Sequence, residues 1–91
     1  MKPDANQSVI VEGLRGVGAT VTILAGVGCG CPDLLVGWHE HNYLLEIKNL
    51  AGRGDQLTPA EVQWIQGWKG QVAIIHDIDE ALHVLELTYD E

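Results

Sequence analysis

Gln7, Ile10, Val11 and Leu14 recur at three- and four-residue spacings with Val17 close behind, a pattern that predicts an amphipathic helix. Pro3 and Asp4 start it and Gly16 or Gly18 ends it just past Arg15, since proline suits a first helical turn and glycine the position beyond the last. Ala19 to Ala25, with Val21, Ile23 and two threonines, predicts a β-branched strand. Leu34, Leu35 and Val36 predict a second strand and Tyr43 to Lys48 a third, joined through a turn over Gly37 to Asn42 into a hairpin. Side-chain alternation then puts Leu44, Glu46 and Lys48 on one face of the third strand and Tyr43, Leu45 and Ile47 on the other. Thr58, Pro59 and Glu61 have the spacing of a capping box with proline at the first helical position, and Leu57 can staple against Val62. The helix they open carries Trp64, Ile65 and Trp68 on a stripe expected in the core, and Gly70 stops it. Val72 to Ile75 predicts a buried strand, and Asp77 or Asp79 caps a last helix with Ile78, Ala81, Leu82 and Leu85 inward. The order is helix, three strands, helix, strand, helix: an α/β chain.

Ninety-one residues suit one domain with a single, marginal core, so a homodimer joined through an apolar face is expected. No basic-then-apolar leader opens the chain, and no apolar run approaches the roughly 20 residues that cross a bilayer, so a cytoplasmic protein without a membrane partner is expected. The net charge of −8 argues against tight binding of nucleic acid. Its distribution changes the picture. From His76 onward there are six acids and no lysine or arginine, whereas residues 1–75 hold seven acids and five bases. Phosphate contacts are therefore expected to be few.

The polar residues that intrude on the hairpin are the chemical ones. Asp33 opens one strand, Glu46 sits late in the next, and Lys48 follows Glu46 on the same face. A carboxylate and an ammonium in such apolar company cost several kcal/mol to bury unpaired, so a compensating ion, water or mutual contact is required. Two oxygen donors on neighbouring strands suit a hard cation such as Mg²⁺ or Mn²⁺ that keeps waters in its shell. Gly26 to Gly30 lacks the pattern of a nucleotide-phosphate loop, and no nucleotide cofactor is expected. Gly28 and Gly30 either let the backbone pass close to a substrate strand or form a plain turn. Arg53, in the glycine-rich loop from Asn49 to Gln56, is a candidate phosphate contact or part of a surface loop. Cys29 and Cys31 with His39 and His41 offer a second metal reading, a zinc site, although structural zinc ligands are usually spaced otherwise. Trp38, at the hairpin tip, marks an interface or folds back over its own strands.

Pro32-Asp33, twelve residues, then Glu46-Ile47-Lys48 resembles the PD-(D/E)XK nuclease signature. The wider run VGCGCPDLLVG, LLEIKN and LTPAEVQWIQGWKG resembles the virus-type replication-repair (VRR) nucleases, relatives of archaeal Holliday junction resolvases, over nearly the whole chain. The resemblance implies a restriction-endonuclease-like αβββαβ core with a small mixed sheet, and a metal-dependent endonuclease acting on branched or flapped DNA. It implies that Asp33, Glu46 and the main-chain carbonyl of Ile47 hold Mg²⁺ or Mn²⁺ and that Lys48 orients the attacking water, giving 5′-phosphate and 3′-hydroxyl ends. It also implies supporting roles for Gln7, where such resolvases carry a first-helix glutamate, and for Glu61, where the family presents a glutamine. Water contact and capping, respectively, also explain those two residues. The likeness to virus-encoded proteins suggests a phage setting. A catalytically silent module that keeps the fold to bind nucleic acid or protein is the rival reading.

Overall fold

A computed structural model describes residues 3–49 and 56–89. Helix α1 (Pro3–Gly16) leads into β1 (Thr20–Ile23), β2 (Leu34–Trp38) and β3 (His41–Ile47); α2 (Pro59–Gly67), β4 (Ala73–Ile75) and α3 (Ile78–Tyr89) complete the chain. The strands form one mixed sheet in the order β1-β2-β3-β4, antiparallel except where β4 joins β3 in parallel. The α/β architecture and the order of elements are those the hydrophobic pattern predicts.

Alternation along the central hairpin decides which side folds. Leu34, Val36, Tyr43 and Leu45 point to one face, where Ile10, Val11 and Leu14 of α1 and Ala81 and Leu85 of α3 close over them and over Ile75. Leu35, Leu44, Glu46 and Lys48 belong to the opposite face, against which α2 sets its first turn. At about 25 cal/mol per Å² of apolar area removed from water, the first face supplies the folding free energy. The second is left open to the site.

Several element ends fall elsewhere than the sequence suggests. The hairpin turn is His39–Glu40 rather than residues 37–42, with φ of 52° and 70° at its two residues. Such two-residue loops with both φ positive match the twist of the flanking strands, so pairing continues to Trp38 and His41 despite the absence of glycine from the turn. Gly37 lies inside β2, where a Cβ would stand 2.5 Å from Thr20 Oγ1 on the neighbouring strand. Helix α2 ends at Gly67, because Trp68 turns extended and its N–H closes back on the Ile65 carbonyl. The tryptophan stripe is not core: α2 has no fully buried residue, Trp68 is 43 % exposed, and Trp64 stacks on it at 4.5 Å between ring centroids. Trp38 packs half-buried against the core and meets His39 edge to face. Ahead of the start of β4, the Gln71 amide takes over the role of a strand, accepting from the Leu44 N–H at 2.7 Å and donating to its carbonyl at 3.3 Å. Asp77, rather than Asp79, caps α3 through the N–H of Glu80.

Candidate active site

Pro32 has no N–H to give the ladder, and the local pairing changes there. The Asp33 N–H donates at 3.1 Å to the carbonyl of Leu45, the residue already opposite Leu34. Two residues of one strand thus face one of the other, the count of a β-bulge, a device that re-aims side chains. The Asp33 carboxylate accepts the N–H of Ile47 at 2.7 Å. Glu46, one residue earlier on β3, is 2 % exposed. Lys48, just past the strand end, is pinned by its N–H to the Ile75 carbonyl at 2.9 Å.

The fourth member comes from α2. Thr58 and Glu61 form the predicted capping box, each side chain bonding the other's backbone N–H. The oxygen of Glu61 that accepts from Thr58 also meets Lys48 Nζ at 2.7 Å, whereas Glu46 Oε2 lies 3.6 Å from that ammonium. Capping and site contact are therefore not alternatives for Glu61. The α2 terminus can come this close because Gly30 lies under it: a Cβ there would stand 2.6 Å from the Ala60 carbonyl carbon and closer still to its oxygen. Gly28, Cys29 and Gly30 all have left-handed φ, and the Cys31 N–H returns to the Gly28 carbonyl at 3.1 Å, one left-handed turn leading into Pro32 and Asp33. Glycine takes that conformation without steric penalty, and Cys29 takes it at a cost.

The electrostatics follow from burial. Loss of hydration pushes the Glu46 carboxyl up to about 8, with the charges of Asp33 and Glu61 adding to the effect and Lys48 opposing it. Asp33 is also raised, chiefly by burial, against the pull of the Ile47 N–H. Burial disfavours the Lys48 ammonium, but Glu61, Glu46 and Asp33 together outweigh it and raise that group. Glu61 is lowered because its bonds to Lys48 and Thr58 outweigh its own burial. The Cys31 thiol, raised by burial and by the charges of Glu46 and Asp33, lies beside the same cluster.

No protein-family model, curated protein or solved structure matches this chain. Asp33, Glu46 and Lys48, which spacing puts together, do come together, and Ile47 binds Asp33 through its N–H. Gln7, half-buried on α1, lines a shallow depression with Ser8, Val11, Glu12, Arg15 and Ile23. Gly28 and Gly30 shape the approach to Asp33. Arg53 lies outside the described residues. The zinc reading fails on distance: Cys31 and His39 flank opposite ends of five-residue β2, and a strand advances about 3.3 Å per residue. Among the described residues, no three histidine, cysteine or acidic side chains form a metal cage.

Asn6 was not among the expected site residues. Its amide donates to Asn49 Oδ1 at 2.9 Å and to the His76 carbonyl at 3.2 Å, tying α1 to the residue after Lys48 and to the end of β4. The signal was present, because Asn6 continues the helical stripe of Ile10 and Leu14 at a spacing of four, which marks a polar group turned inward.

Proposed function

We propose that the chain is a divalent-metal-dependent endonuclease of the PD-(D/E)XK type that hydrolyses phosphodiester bonds in branched or flapped DNA, acting as a homodimer. The observation that carries the reading is the convergence of Asp33 and Glu46 at the mouth of one hairpin with Lys48 beside them, its ammonium held by Glu61 in the first turn of α2.

The residues fit a hard cation. A buried and a half-buried carboxylate that resist joint ionisation form a centre where a divalent ion relieves the repulsion a proton otherwise relieves, and oxygen donors suit Mg²⁺ or Mn²⁺. Asp33, Glu46 and the Ile47 carbonyl would hold the ion. When bound, it supplies a water of lowered pKa and a Lewis acid for a phosphoryl oxygen. Lys48, kept cationic by Glu61, offsets negative charge as it grows on the phosphate. The open face of the sheet gives little area for reading base edges, so recognition rests on DNA shape.

Cleavage of four-way junction, flap and single-stranded DNA with Mn²⁺, against an EDTA control, tests the reading. Asp33→Asn and Lys48→Ala are expected to abolish it while circular dichroism stays unchanged. Wild-type turnover by either variant refutes the assignment. One observation favours a silent, binding-only relative: Lys48 stands nearer Glu61 than Glu46, so its ammonium is held from the acid pair. Failure of the wild-type protein to cut all three substrates would establish that second reading.

A further inference from the structure

The acidic C-terminal stretch plays no part in the proposed chemistry, and the fold gives it a shape. Beside β4 and α3 lies a groove of about 510 Å³ lined by Ile74, Ile75 and Val84 and edged by Asp77, Asp79, Glu80 and His83. Ile74 is 43 % exposed, and Asp79, Glu80 and His83 are exposed as well.

Strand β4 is the last in the sheet. The Ile75 carbonyl receives the Lys48 N–H and so points toward β3, and the alternation of main-chain groups along a strand turns those of Ile74 to the outer edge. Among the described residues the β4 edge is thus unpaired, with the exposed Ile74 side chain on the face it shares with Glu46 and the carboxylate rim on the α3 side. Asp77 and Glu80 already accept hydrogen bonds from α3 and from His76, but each carboxylate has further lone pairs for a cation.

We infer that this groove docks an extended basic segment of a protein partner, adding a short strand to β4 with an aliphatic side chain over Ile74 on one face of the sheet and lysine or arginine at the acidic rim on the α3 side. Charge complementarity selects that occupant. Nucleic acid would be repelled by the rim, and a symmetric second copy would bring an identical row of acids against this one. Strand addition supplies main-chain hydrogen bonds for affinity, and the side-chain pockets supply specificity.

The probe is a short fluorescein-labelled peptide alternating lysine and valine, followed by fluorescence anisotropy with the full chain. Saturable binding is expected, weakened at least about tenfold by Asp79→Lys, by Ile74→Lys, or by serine in place of the valines, with circular dichroism unchanged. Equal binding of the lysine-serine peptide would reduce the effect to the chain's overall charge and overturn the proposal. Unchanged binding by both variants would overturn it too, as would sedimentation showing a dimer that Asp79→Lys dissociates. Peptide binding needs no nuclease activity, so its outcome stands apart from that of the cleavage assay.

Discussion

Glu46 carries the largest perturbation in the site, and its sign sets a pH dependence. Its carboxyl is about 8 in the folded chain against an ordinary 4.5, so the folded state holds a proton that the unfolded state releases. Stability is then greatest below about pH 4.5 as far as this group is concerned, falls as pH rises through the interval, and levels off above pH 8. Glu46→Gln removes the penalty, and in EDTA the variant is expected to melt above the parent at pH 8 but not at pH 4. Equal melting shifts at both pH values would contradict the burial argument. Legibility of the site divides by the kind of signal. Strand parity alone placed Glu46 and Lys48 on one face. It could not reveal that one oxygen of Glu61 serves both Thr58 and Lys48, because a capping box explains that glutamate completely without a tertiary partner.

Helix α2 is short, has no fully buried residue, and reaches the site through its first turn alone. Its register there depends on Thr58, whose hydroxyl oxygen accepts the Glu61 N–H at 3.2 Å. Thr58→Ala is expected to cost about 1 kcal/mol of stability, the usual loss of an N-cap. It should also slow cleavage several-fold, because Glu61 then holds Lys48 from a frayed turn. A thermal melt and a rate measured on the same preparation check both parts, and loss of stability without loss of rate would separate Glu61 from catalysis. The capping box and the periodicity of α1 were legible because their causes are local. The hairpin turn was not. Neither His39 nor Glu40 is the glycine or asparagine that such a turn favours, and the pairing of β2 with β3 holds both at positive φ. The tryptophan stripe misled for a related reason: helical spacing shows that Trp64 and Trp68 share a side, not that anything covers it.

The whole chain carries −8, and its bases are few: Lys2, Arg15, Lys48, Arg53 and Lys69. Arg15 already gives a hydrogen bond to the Val21 carbonyl at 3.0 Å, and Lys48 is engaged at the centre. Few phosphates can be neutralised, so junction binding by Asp33→Asn should fall with salt at a log–log slope shallower than about −3. Anisotropy titrations at a series of salt concentrations measure it, and a steep slope typical of six or more phosphate contacts would mean that another cationic surface is formed. No described helix is long and apolar enough to cross a membrane. Helices α1 and α3 close over one side of the sheet, which leaves Thr20, Thr22 and Leu35 facing away from that packing. Thr22 and Leu35 can be rewritten to change what the molecule touches, with free-energy effects that should add to those of core substitutions sharing no partner with them, whereas the Thr20 hydroxyl is tied to the Gly37 carbonyl.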